Sequence, residues 1–229
     1  MIPVGISEKT GRFPWMTGAL ILANVAAFVY LVFYSGAPGH VISRWGFTPT
    51  RFFHAFQSPI AGISCCLTLL SASFLHGSLM HIAGNMLFLW VFGPGVEHRL
   101  GTWRYLSFYL LMGAISMIVH GYAFKGSTLV VIGASGSIAG IMGAFYILYP
   151  NARIKTSFFL FIREIPAIYY LFIWFLFNLG RGFLHLEGKY MEPVAWWAHV
   201  GGFLAGTVLV NLFLPTGGGA GGKAKAKKD

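Results

Sequence analysis

An all-α polytopic membrane protein, built as a bundle of six helices, is the fold class this sequence predicts. Three observations carry that expectation. Of 229 residues, 56% are hydrophobic and only 10% are charged, whereas a soluble domain carries about 25% charged residues. Six aromatic-rich apolar runs follow one another, most of them about 20 residues long, the length that takes a helix across a bilayer's hydrocarbon core. Apart from residues at their ends, none of the six contains Asp, Glu, Lys or Arg. This composition excludes a cytosolic enzyme, a disordered protein and a disulfide scaffold.

In chain order, residues 1–13 form an N-terminal segment ahead of the membrane domain, which runs from 14 to 214. The first run, 15–34, is long and has no small-residue cleavage site after it, so it reads as a retained span and not as a signal peptide. The connection 35–72 is the longest. Its Arg44, Trp45, Pro49, Arg51, Phe52, Phe53 and Phe56 predict a segment in the membrane interface, with aromatics at headgroup level. The remaining spans are 73–92, 104–124, 128–149, 165–182 and 194–214, joined by short loops. Residues 215–229 are a Gly/Ala/Lys tail without core-forming residues, read as disordered. Cys65 and Cys66 are adjacent and offer neither a bridge nor a metal-ligand spacing.

The 16 Lys and Arg against 6 acids give a net charge of +10. In a membrane protein this marks loops on one side and not nucleic-acid binding. With the N-terminus inside, the inner segments hold Lys9, Arg12, Arg99, Arg104, Arg153, Lys155, Arg163, Lys223, Lys225, Lys227 and Lys228. The outer ones hold Arg44, Arg51, Lys125, Arg181 and Lys189. The bias places both termini in the cytoplasm of a plasma (inner) membrane protein. Spans without midplane charge, and the lack of an inverted repeat, argue against a pump or transporter.

The polar residues that the spans do carry are mild ones. His76, His81 and Asn85 lie in the second, Ser135 and Ser137 in the fourth and His199 in the sixth, while His120, Asn178 and Asn211 sit elsewhere. Counted from the outer starts of their spans, His81, Ser135 and His199 lie about eight, seven and five residues in, which places all three roughly 8–12 Å below the outer face. Asn85 shares the face of His81 one turn deeper. Ser135, Ala139 and Gly143 form one small-residue stripe, and His199, Gly202 and Gly206 another. Facing stripes of this kind let helices approach closely and bring Ser135 to His199. A serine within reach of a histidine is the minimum for an activated nucleophile. The acids on the outer side are Glu187 and Glu192, so the expectation is a Ser-His dyad whose imidazole is held by Gly and aromatic neighbours, not by a carboxylate. Gly133-Ala134-Ser135-Gly136 can break the backbone at the start of the fourth helix and aim free N–H groups at a developing oxyanion, with the side chains of His81 and Asn85 as further donors. Ser137 reads as a helix-packing residue, and His76 as support for the fold or the first loop. No H-E-x-x-H and no Cys/His spacing points to a metal.

At these residues the sequence resembles the rhomboid family of intramembrane serine proteases. The resemblance rests on Gly133-Ala134-Ser135-Gly136, on His199 followed by Gly202 and Gly206, on His76, His81 and Asn85, and on Gly95-Val96-Glu97-His98-Arg99-Leu100-Gly101 after the second span. It covers about residues 14–214. It implies a six-helix fold of the bacterial type, a nucleophile at Ser135, a general base at His199, and oxyanion donors at His81, Asn85 and the Ser135 backbone. It also implies no cofactor, and substrates that are themselves membrane-spanning helices. A catalytically silent member of the same fold, binding membrane helices without cutting them, is the alternative. Family members often carry a Trp-Arg pair just before the second span; here that stretch reads Ser58-Pro59-Ile60-Ala61-Gly62-Ile63-Ser64-Cys65-Cys66. The resemblance further points to the fifth span as a mobile wall, with Tyr169, Tyr170, Phe172, Trp174, Phe175 and Phe177 expected to pack against the second span.

Overall fold

The computed structural model describes residues 2–7, 11, 13–55, 59–158, 161–187 and 194–215. Among these, the helices in chain order are α1 (Trp15–Val29, continued by a π-helical turn, Tyr30–Tyr34), α2 (Pro38–Trp45), α3 (Pro49–His54), α4 (Pro59–Ser71), α5 (Leu79–Leu100), α6 (Thr102–Ala123), α7 (Ser135–Leu148), α8 (Ala167–Leu186) and α9 (Trp196–Leu209, continued as a 3-10 turn, Val210–Phe213). Among the described residues five segments are long and apolar enough to cross a bilayer: Trp15–Tyr34, Leu79–Leu100, Thr102–Ala123, Ala167–Leu186 and Trp196–Phe213. The protein is a multi-pass membrane protein built as a helical bundle, as its composition predicts. The tail 216–229, Phe56 and Glu192 lie outside the described residues.

The fourth apolar run behaves differently from the other five. Its helix, α7, has only 14 residues, about 21 Å of rise, against roughly 30 Å of hydrocarbon. The part of the run ahead of Ser135 is not helical. It is tied down instead by a bridge between Phe47 and Val131 and by the Gly133 N–H, which donates to Ala72 O at 2.8 Å. Ten consecutive residues, Gly136 to Phe145, are buried, so α7 is encased by its neighbours. Glycine makes that possible: a Cβ on Gly202 would overlap the Gly136 carbonyl oxygen, and one on Gly206 that of Gly140. Small residues on both faces let α7 and α9 meet backbone to backbone.

The first loop is less superficial than its aromatic composition implies. Trp45 is exposed, but Phe47 and Phe52 are buried in a second core cluster with Ala55, Cys65, Ala72, Met117 and Val131. In the absence of a Trp-Arg pair before α5, another arginine fastens this loop. Arg51 Nη1 donates to Ser43 O at 2.7 Å, and Nη2 to Gly46 O at 2.8 Å, closing the end of α2.

A three-stranded antiparallel sheet, which the reading of the sequence did not foresee, stands at the opposite end of the bundle. It comprises β1 (Ile2–Ile6), β2 (Arg153–Phe158) and β3 (Phe161–Pro166), in the order β1-β2-β3. Pro166 ends β3, and α8 starts at the next residue, a position where a missing N–H costs the helix nothing.

At that end Glu97 ties α1 to α5. Its buried carboxylate accepts from the N–H groups of Met16 (2.9 Å) and Thr17 (2.8 Å) and from Thr17 Oγ1 (2.8 Å). Pro14, before α1, supplies no side-chain cap, so Glu97 provides from another helix the anionic cap that a helix start favours. Glu97→Ala is expected to lose about 3 kcal/mol, since hydrogen bonds to a charged group are the strong ones. Glu97→Gln should lose less. Thermal unfolding of the detergent-solubilised full chain checks this; an unchanged midpoint for the alanine variant would remove the assigned role.

Candidate active site

Three helix starts build the site. His81 is the third residue of α5, Ser135 the first of α7 and His199 the fourth of α9. The three lie at one level, within the first turn of their helices, and nearer to those starts than run length alone indicates, because 73–78, 128–134 and 194–195 are not α-helical. All three helices therefore direct the positive ends of their dipoles to the same region.

His199 Nε2 lies 2.8 Å from Ser135 Oγ. On the other side of the ring, Nδ1 lies 2.7 Å from Asn178 Oδ1. The Asn178 amide is oriented by its own Nδ2, which donates to Trp174 O at 2.7 Å. An amide oxygen only accepts, so Nδ1 carries the proton and Nε2 presents its lone pair to the serine hydroxyl. The ring also sits beside Trp174 (centroids 6.0 Å apart, 33° between planes) and edge-on to Trp196 (6.0 Å, 84°).

The expectation was an imidazole held by glycine and aromatic neighbours instead of a carboxylate; beside the aromatics the structure adds an amide. Asn178 is a third member, contributed by α8. A buried amide inside an otherwise aromatic helix was the available signal, because such a group needs a partner. Asn178→Ala should slow turnover by on the order of tenfold, a part of what a positioned base contributes, with the apparent affinity for substrate little changed. Asn178→Asp should recover more activity than Asn178→Ala. Equal rates for all three proteins would remove Asn178 from the site.

The same geometry corrects the expected packing of the fifth span. Asn178 lies one turn beyond Trp174, so both share the face that meets α9. Trp174 stands 6.0 Å from Phe203, and Phe175 stacks on Phe203 at 5.1 Å. It is Tyr170 that meets the second span, 6.3 Å from Phe92. Trp174 and Phe175 brace the histidine-bearing helix instead.

Gly133 turns the backbone into the site. Its φ is +122°, in the region that favours glycine, and a Cβ there would lie 2.7 Å from His81 Nε2 and 3.7 Å from Asn85 Nδ2. Those two side chains therefore close over the turn that carries Ser135. Ile138 makes the first intrahelical bond of α7, to Ala134 O, so the N–H groups of Ser135, Gly136 and Ser137 precede the helical ladder. Asn85 Nδ2 lies 2.9 Å from His76 Nε2, which also faces the Ala134 N–H at 3.5 Å. The His76 nitrogen accepts one Asn85 N–H and leaves the second for the site. His76, read from the sequence as support for the fold, lies in the site's wall and fixes a donor. Ser137 is buried two positions further on, beside Gly113. Gly136 and Gly202 meet directly below Ser135, and Gly206 meets Gly140 one turn lower. Among the described residues no group of three or more His, Cys, Asp or Glu is placed to hold a metal.

Residues 64–216 match the family model of the Rhomboid domain. The chain is 26% identical over 231 residues to RHOMBOID-like protein 4 of Arabidopsis thaliana, covering 90% of this chain and 54% of that protein. It is 24% identical over 229 residues to RHOMBOID-like protein 1 of the same plant, covering 88% and 54%. A third match, 36% identical over 102 residues, is to the Presenilin-associated rhomboid-like protein A, mitochondrial, of Danio rerio, covering 43% and 26%. The chain spans about half the length of the two plant proteins.

Proposed function

The chain belongs to the rhomboid family, and from that premise we propose that it is an intramembrane serine endopeptidase, cutting peptide bonds in or near the transmembrane helices of membrane-protein substrates. The observation that carries this reading is the 2.8 Å approach of Ser135 Oγ to a His199 nitrogen whose partner, Nδ1, is held by Asn178. In the proposed mechanism the serine hydroxyl gives its proton to Nε2 as Oγ attacks the scissile carbonyl carbon. The oxyanion that forms is met by the N–H groups at the start of α7 and by the side chains of Asn85 and His81. The imidazolium returns its proton to the departing amine, leaving an acyl-enzyme. Water, deprotonated by the same nitrogen, then releases the second product and regenerates the serine.

The substrate's form follows from the depth of the site. Carbonyls within a helix are already hydrogen-bonded, so the substrate must unwind locally before Ser135 can reach one. Gly or Pro near the helix end on the Ser135 side should favour cleavage, since both weaken a helix. With the lysine and arginine bias, the proposed orientation has both termini in the cytoplasm of the plasma membrane and the site opening to the outer face.

A serine-directed fluorophosphonate tests the reading directly. It should label the wild-type protein in liposomes at Ser135 and fail to label His199→Ala, whose serine has lost its base. A folded wild-type protein that takes no label, and cuts no transmembrane substrate, would belong to the silent alternative.

A further inference from the structure

The first loop is rich in cations and has no acid in its own stretch of sequence. From residue 9 to residue 96 the sequence contains no Asp and no Glu, yet Arg44, Arg51, His40 and His54 lie within that stretch. Arg44, Arg51 and His54 come together with Ala55, Ser64, Cys65 and Thr68 around a cleft of about 410 Å³ between α2, α3 and α4, a volume in the range of small-ligand sites. Arg51 bonds the carbonyls at the end of α2, neutral acceptors that orient the guanidinium. Arg44 lies over the Trp45 ring, 5.7 Å from its centroid. Among the described residues neither guanidinium has a carboxylate partner.

The surroundings narrow the ligand. Next to the cleft, α4 exposes Ile63 (67%) and Leu67 (52%), so the cations stand at the edge of an apolar surface. The Phe47–Val131 bridge fixes this region at the same end of the bundle as Ser135, the end where α5, α7 and α9 start and where the loop's arginine and aromatic content puts the membrane interface. A ligand that suits this place is both anionic and apolar. We propose that the cleft binds the phosphate of an anionic phospholipid headgroup. Arg44 supplies the main charge-assisted hydrogen bonds, His54 and Ser64 the neighbouring polar contacts, and Arg51 a fixed positive field. The acyl chains lie along Ile63 and Leu67. The claim concerns binding only and stands apart from hydrolysis.

The experiment uses the full chain, purified in mixed micelles of phosphatidylglycerol and phosphatidylcholine, with retained lipid counted by native mass spectrometry. The wild-type protein should retain phosphatidylglycerol preferentially. Arg44→Gln combined with His54→Gln should lower that preference about tenfold or more, the loss expected for charge-assisted hydrogen bonds. Arg104→Gln, at the opposite end of the bundle, should leave it unchanged. A melting temperature kept within a few degrees shows that the double variant is folded; if it is not, Arg44→Lys serves, and should weaken retention by less. Three results would overturn the proposal. One is equal retention by wild type and variants. Another is a site filled by millimolar inorganic phosphate without any preference for the lipid. The last is loss of binding to a substrate with acidic flanking residues while lipid retention stays intact, which would make the cleft a substrate contact.

Discussion

Ser135→Ala is expected to abolish cleavage of every membrane substrate, a fall on the order of a million-fold where one member of a nucleophile–base pair is removed. The fold should tolerate the change. The substitution removes one hydroxyl from a helix start, with a stability difference of about 1 kcal/mol for the lost bond to His199. Ser137→Ala is the matched control. That serine lies on the same helix two positions along, buried against Gly113 and away from the imidazole, so its variant should keep most activity. Rates measured on one substrate in liposomes, with melting temperatures alongside, decide the matter. A dead Ser137→Ala beside an active Ser135→Ala would place the nucleophile on the wrong face of α7.

The second large effect belongs to Asn85. Its variant to Ala should lower turnover by about 10- to 1000-fold, the range for removing one oxyanion donor, while KM moves little. The reason is that the negative charge on the carbonyl oxygen exists only in the transition state, so a donor aimed at it stabilises that state and not the bound substrate. The hydrogen bond between Asn85 and His76 adds a second signature. His76→Ala should reproduce part of the Asn85→Ala loss, and the double variant should lose less than the product of the two, because the residues act as one unit. A change confined to KM would make Asn85 a docking residue.

The sequence made much of this site legible because its parts obey rules that need no partner. Ser135, His199, His81 and Asn85 were polar residues in otherwise apolar spans, and small-residue stripes indicated which helix faces meet. Other features depended on distant contacts. Whether Asn178 reaches His199 depends on how α8 leans on α9, which periodicity along α8 does not encode. The length of α7 escaped for a similar reason. Residues 128–134 are as apolar as a helix, but the bridge to Phe47 and the turn at Gly133 keep them out of α7. Arg51 as the fastener of the first loop, and Glu97 as the cap of α1, are likewise interactions between segments far apart in the chain. The sheet was the least visible feature, since β1 has no meaning until β2 is beside it.

That sheet imposes an order of events during synthesis. Strand β1 is made first, and its partner β2 follows roughly 150 residues later, after α1, α5, α6 and α7 have been threaded. At about 5–20 residues per second this interval is on the order of 10–30 s. Throughout it, the backbone donors and acceptors of Ile2–Ile6 have only water or other chains for partners, and an unpaired strand invites wrong ones. Closure then demands that both strands be on one side of the membrane, which an even number of intervening crossings satisfies. A chain that threaded one helix too few would leave β1 and β2 separated by the bilayer. The small sheet thus works as a parity check on insertion, blocked whenever an odd number of the four preceding segments has been threaded.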